Sequence, residues 1–262
     1  MLGISADCFI LYGMETFGKK IDYEVQMELD RVKRDVLELR RPTEKILEKL
    51  SHDLESGEIQ LIIGDDASGR IPTAIFRKIF DMAYKERGFT TPETRFLSGS
   101  RHLYGEEKKE KEEKIAEYLE QVKGAIEKKF GRPLQKVLIV TDVVMTGHSL
   151  DPLLEVLNGM GIQSEVVSIG ILYGEASVKE ISERRRTPVF FGMDYMPEVY
   201  GRPKISGVVK EEEELFSETY KKKWGMVGTE KGVEAQYEIN KAREVAEDLA
   251  VEVYEKWKKM KD

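Results

Sequence analysis

The chain is poor in cysteine. Cys8 is the single one among 262 residues, so no disulfide can form within the chain, which fits a reducing compartment. Long apolar runs are missing too: no stretch approaches the ~20 apolar residues that a membrane span needs. Residues 8–14 (CFILYGM) are apolar, but Asp7 rather than a basic segment precedes them, so no targeting signal is read there. Histidine is scarce, and His52, His102 and His148 are scattered without zinc-ligand spacing. Positive charge is not in surplus either. The 42 Lys and Arg residues face 49 Asp and Glu, a formal net charge of −7, whereas long polyphosphate chains are attracted by a basic surface. No DNA-binding helix pair or basic stripe offsets this balance, and no internal repeat is visible. Together these absences predict a soluble, cytoplasmic protein with no membrane partner and no long nucleic acid partner.

What the chain does have is 40% hydrophobic residues, enough for a sizeable core, in a length that suits one α/β domain with additions. Val25, Leu29, Val32, Val36 and Leu39 recur at helical steps over residues 21–40. Pro42 interrupts that helix, and a second carries Ile46, Leu50 and Leu54 before Gly57 closes it. The texture then changes to short apolar runs at 59–63, 95–97, 136–141, 166–172 and 189–191, separated by helical patterns. Pro72 marks the expected first turn of one of these helices. Strands alternating with helices predict a parallel sheet with helices on both faces. The expected layout is an N-terminal helical addition (1–58), an α/β core (59–192), and a loop with C-terminal helices (193–262). The last helix shows Ala242, Ala246, Leu249, Val253 and Trp257 on one face, which offers either a homodimer surface or a face packed on the core.

Three charged features read as ordinary surface. The run 106–114 (EEKKEKEEK) is expected to be a solvated helix face with i,i+4 pairs Glu107–Lys111 and Glu110–Lys114. The triplet Arg184, Arg185 and Arg186 reads as a solvated cap at a helix end. Asp65 and Asp66 read as backbone-capping groups in a turn, with metal ligation as the other option.

Residues 137–150, VLIVTDVVMTGHSL, carry the chemistry. Four apolar residues form a buried strand, and Asp142 is expected at its carboxyl end, where ligands bind in open α/β sheets. The loop that follows, with Thr146, Gly147 and Ser149, would present backbone N–H groups, two hydroxyls and a helix amino end to an anion. Gly147 has no side chain to keep a phosphate away. The residues themselves therefore suggest a monophosphate cradle beside a carboxylate.

This segment resembles the phosphoribosyl-pyrophosphate (PRPP) motif of the type I phosphoribosyltransferases: four apolar residues, two acidic ones, two more, then a Thr-Thr-Gly-x-Thr-like loop. The resemblance implies a phosphoribosyltransferase-like α/β fold over residues 59–192. It implies that Met145, Thr146, Gly147, His148 and Ser149 hold the 5′-phosphate, and that Thr141 and Asp142 hold the ribose hydroxyls. It also implies a pyrophosphate loop in 64–70 (GDDASGR), with Asp66, Ala67, Ser68, Gly69 and Arg70, and a flexible loop in 98–105 (SGSRHLYG), where Arg101 and His102 contact phosphate. A hood selecting the base is expected in 193–207, with Tyr195 and Tyr200 as stacking groups. Asp142, Arg70 and Arg101 are the implied catalytic residues. Mg²⁺ is the implied cofactor, touched only indirectly by Asp142.

The sequence departs from the motif at two places. Thr141 stands where the first acid belongs; it can hydrogen-bond a hydroxyl but brings no negative charge to an oxocarbenium-like transition state. Met145 stands where some purine-specific members carry an acid that contacts the base. The expected function is a PRPP-dependent phosphoribosyltransferase acting on a nucleobase or related heterocycle. The alternative, which Thr141 favours, is a non-catalytic PRPP- or nucleotide-binding regulator on the same fold. A minor alternative is a P-loop protein: residues 13–19 (GMETFGK) match seven positions of that motif, but Lys20 replaces its Ser or Thr.

Overall fold

The computed structural model describes residues 23–98, 104–200, 202–209 and 214–261. The GMETFGK segment therefore lies outside the described residues, as do Arg101 and His102. Three helices come first: α1 (Tyr23–Leu37), α2 (Arg40–Lys49) and α3 (Ser51–Ser56). The break between α1 and α2 falls at residues 38–39, and Pro42 sits in the first turn of α2, where its missing N–H costs no helical bond. Gly57 ends α3 in the left-handed region, with φ +71°.

The core follows as β1 (Leu61–Asp65), α4 (Asp66–Glu86), β2 (Glu93–Leu97), α5 (Gly105–Phe130), β3 (Lys136–Val144), α6 (Asp151–Gly159), β4 (Gln163–Ile171), α7 (Gly174–Arg185) and β5 (Val189–Met193). All five strands are parallel, in the order β2-β1-β3-β4-β5. Helices cover both faces, as the alternation of runs predicts. Side chains alternate across each strand. Ile62, Leu138, Val140, Val167 and Ile169 join one buried cluster, with Ile75, Phe76, Ile79 and Phe80 of α4. Leu61, Ile63, Val137, Ile139 and Val166 join the other, with Ile115, Leu119 and Ile126 of α5 and Leu153, Leu154 and Leu157 of α6.

The remaining elements are α8 (Pro203–Ser206), a small antiparallel pair β6 (Val208–Val209) and β7 (Glu218–Thr219), α9 (Tyr220–Lys223) and the long α10 (Glu230–Lys261). Ala242, Ala246, Leu249, Val253 and Trp257 of α10 are buried in the same cluster as α4 and α1. Of the two options for this face, packing on the core is the one seen. Among the described residues no helix is long and apolar enough to cross a membrane.

Three expectations need correction. Strand β3 runs on through Val144, three residues past the expected end at Thr141, because Val143 and Val144 pair with Gly170 and Ile171 of β4. Helix α4 starts at Asp66, directly after β1, so most of the expected 64–70 loop is its first turn and Pro72 is its seventh residue. In α5, Lys111 is 2% exposed and its Nζ donates to the Glu214 carbonyl. The ion pairs formed there are Lys108–Glu112 and Lys109–Glu113, one register away from the expected ones, and Lys108 reaches across to Glu155 of α6 at 2.8 Å.

Candidate functional site

The strand order fixes where a ligand can enter. From β1 the chain moves outward to β2; from β3 it moves the other way, to β4 and β5. Their connections diverge between β1 and β3, and the crevice at the carboxyl ends of these two strands is the switch point where open α/β sheets bind ligands. Gly64 pairs with Val140 in this register, so Asp65 and Thr141 come side by side.

On the β1 side, Asp65 is the N-cap residue of α4, yet its carboxylate makes no cap hydrogen bond. It accepts a hydrogen bond from the Thr141 hydroxyl at 3.3 Å instead, and both residues are buried, at 5% and 1% exposure. The capping reading of Asp65 is thereby replaced by a cross-strand pair. The amides of residues 66–69 form the first turn of a 21-residue helix, a position that lacks intrahelical acceptors and favours anions. Gly69 is needed for packing: a Cβ there would lie 2.5 Å from the Val140 carbonyl oxygen, so only glycine lets α4 sit this close to β3. Arg70 extends over the Phe96 ring of β2, with its guanidinium carbon 4.4 Å from the centroid.

On the β3 side, Asp142 is 1% exposed and one of its oxygens accepts the Val143 N–H at 2.7 Å. Because the strand continues, Thr141 and Asp142 project to opposite faces of the sheet. Met145, Thr146 and Gly147 then turn the chain into a single 3₁₀ turn (His148–Leu150) and α6. Gly147 has φ +75°, and a Cβ on it would approach Ile181 of α7 to 3.1 Å. Thr146 and His148 are exposed, and Ser149 is half-buried. The turn therefore offers hydroxyls and amides outward from a rigid base.

That base comes partly from α7, which sequence reasoning missed. Arg184 donates to the Thr146 carbonyl at 3.0 Å. Arg185, with only 10% of its side chain exposed, is ion-paired to Asp151, which also meets His148 Nδ1 at 3.0 Å. Two of the three arginines read as a solvated cap thus brace the turn after β3. The signal was the triplet itself, but nothing local says that it reaches back 38 residues.

The hood residues divide. The Tyr200 hydroxyl lies 3.9 Å from the Met145 sulfur, at the start of the turn. Tyr195 keeps a 52% exposed side chain, and its carbonyl packs over Gly170 at the end of β4.

Comparison with known proteins adds little beyond this geometry. No family profile matches this chain, and no curated protein sequence matches it. Several solved structures are similar to it in part, among them the following two. An orotate phosphoribosyltransferase from Aeropyrum pernix shares 18% identity at a TM-score of 0.33, covering 61% of this chain and 69% of its own. The AQ2163 protein from Aquifex aeolicus shares 13% at 0.32, covering 67% and 85%.

Among the described residues no group of three or more His, Cys, Asp and Glu side chains could hold a metal ion. Asp142, on β3, is the carboxylate that precedes the turn. A single carboxylate fits Mg²⁺ that arrives with a phosphorylated ligand and keeps its waters, because this ion is commonly held by one or two carboxylates plus substrate oxygens.

Proposed function

We propose that the chain is a PRPP-dependent phosphoribosyltransferase that moves a phosphoribosyl group onto a ring nitrogen of a nucleobase or related heterocycle. One observation carries this reading: the PRPP-like motif lies on central strand β3, and its Thr146–Ser149 turn leaves the sheet at the switch point, opposite the first turn of α4. An anion cradle and a second set of helix amides thus flank one crevice, as a ligand with a phosphate at one end and a pyrophosphate at the other requires.

In this reading Met145, Thr146, Gly147, His148 and Ser149 hold the 5′-phosphate, and Asp142 holds a ribose hydroxyl. The Thr141–Asp65 pair lines the β1 side. The amides of Asp66, Ala67, Ser68 and Gly69, with the charge of Arg70, receive the pyrophosphate, and Arg101 and His102, outside the described residues, are its further proposed contacts. Tyr200, and Tyr195 further out, flank the base. Mg²⁺, when bound, neutralises pyrophosphate charge. The base nitrogen attacks C1 of the ribose, the C1–O bond breaks with its electron pair leaving on pyrophosphate, and the nitrogen's proton passes to solvent. The protein contributes positioning and charge stabilisation and needs no nucleophile. A screen for pyrophosphate release over a panel of bases tests this: release with at least one base, lost in Asp142→Asn, is expected.

The second reading, a non-catalytic PRPP- or nucleotide-binding regulator, draws on Thr141. Its hydroxyl is engaged with Asp65 and supplies no charge to a ribosyl cation. Tight PRPP binding with silence across the whole panel would favour it.

A further inference from the structure

A cavity of about 370 Å³ lies between edge strand β2, α4, α8 and α10, and it shares no lining residue with the 145–149 turn. Its size falls within the ~300–1,000 Å³ range of small-molecule sites. Arg70, Arg77 and Arg243 converge on it, against one lining carboxylate, Glu247. This is a concentration of positive charge on a chain whose net charge is −7.

The three arginines are held differently. Arg70 stacks on Phe96. Arg77 meets Glu247 at 3.2 Å in a solvent-facing pair, which a better acceptor can displace. Arg243 has no hydrogen-bond or ion-pair acceptor among the described residues. It is exposed on its outer side, yet enough of it is enclosed for desolvation, followed by the charge of Arg70, to lower its pKa. Thr73 also lines the cavity; it is fully buried, and its hydroxyl has no partner among the described residues. Like charges crowded together in a partly enclosed place are costly unless an anion joins them.

We infer that this cavity is a second binding site, for a small anion bearing a phosphoryl group, held by Arg77 and Arg243 with Arg70 at its inner end. Guanidinium groups match phosphate oxygens in bidentate geometry, which favours phosphate over a lone carboxylate. The site shares Arg70 with the pyrophosphate contacts of the transferase reading but rests on Arg77 and Arg243, which that reading does not use, and α10 makes it a place from which an anion can stabilise the packing of the C-terminal helix on α4.

The test is calorimetric titration of the full chain with inorganic pyrophosphate and, separately, ribose 5-phosphate, which distinguishes a free phosphate from an ester. Five proteins are compared: wild type, Arg243→Lys, Arg243→Gln, Arg77→Gln/Arg243→Gln and Thr146→Ala/Ser149→Ala. Both arginines face solvent on long helices, and circular dichroism checks that each variant is folded. Binding of at least one probe should survive in Thr146→Ala/Ser149→Ala, weaken about tenfold in Arg243→Gln, and weaken further in the double arginine variant. Arg243→Lys should fall between wild type and Arg243→Gln. The inference is overturned if wild type binds neither probe, or if the double arginine variant binds both as wild type does. Loss only in Thr146→Ala/Ser149→Ala would also overturn it, while supporting the cradle on β3.

Discussion

Thr141 is where the site departs most from its motif, and its neighbour changes what that departure means. The acid that position 141 lacks is present one strand away, as Asp65, buried and bonded to the Thr141 hydroxyl. Restoring an acid with Thr141→Asp therefore sets two carboxylates side by side in a buried place, where they cannot both ionise freely. The expected result is a loss of roughly 3 kcal/mol in denaturant unfolding at neutral pH. The loss shrinks as the pH falls and one carboxyl takes a proton. A Thr141→Asp protein as stable as wild type at neutral pH would show that the two groups do not meet. Gly69 gives a second test at this scale. Gly69→Ala should destabilise by about 1–3 kcal/mol, because the new methyl meets a backbone carbonyl that cannot move aside.

Among the elements, the strands were legible from the sequence because a parallel sheet buried on both faces leaves short apolar runs, and the runs of β1, β3 and β4 each contribute to both clusters. Boundaries at the site were less legible. Thr141 and Asp142 are polar, so they look like a strand end, yet pairing with β4 carries β3 past them. Asp66, Ala67, Ser68 and Gly69 have loop composition, yet packing of Gly69 on β3 makes them helix. The turn at 145–149 was readable because Gly147 and its small polar neighbours mark it locally. Its support was not, because Arg184 and Arg185 come from a different helix. Arg185→Met should cost roughly 3–5 kcal/mol, the loss expected when one partner of a buried ion pair is removed. It should also weaken phosphate binding at Thr146–Ser149, whereas Arg186→Met should leave that binding unchanged. Equal effects from the two would contradict the brace.

For the whole molecule, stability rests on a core that draws the N-terminal helices, α4 and α10 onto one sheet face. Tyr84 lies at its centre. Its buried hydroxyl donates to the Asp53 carbonyl at 3.1 Å and accepts the Ile59 N–H at 3.0 Å. Burial pushes its phenol well above the ordinary range near 10. The folded protein therefore holds this proton where the unfolded chain releases it. The resulting stability is fully present below about pH 10 and is lost as the pH rises beyond that. Tyr84→Phe should lose about 1–3 kcal/mol at neutral pH, from the unpaired Ile59 amide. It should also show a shallower alkaline decline in thermal unfolding; an unchanged decline would place its cause elsewhere. Net charge is also a property of the whole, and −7 disfavours long polyanions without bearing on one phosphorylated sugar. In both proposals the anion would be met locally, by amides at helix starts and a few arginines, so the net charge does not oppose it.

The central claim is that the turn after β3 is a phosphate cradle for PRPP. Calorimetric titration with PRPP and Mg²⁺ of the wild type and of Thr146→Ala/Ser149→Ala tests it most directly. Saturable binding is expected in the wild type and binding weakened about tenfold or more in the variant, from two lost hydrogen bonds to charged oxygens, with both measured in an Arg77→Gln/Arg243→Gln background so that the α10 cavity does not contribute. No binding by the wild type, or equal binding by the variant, would contradict it.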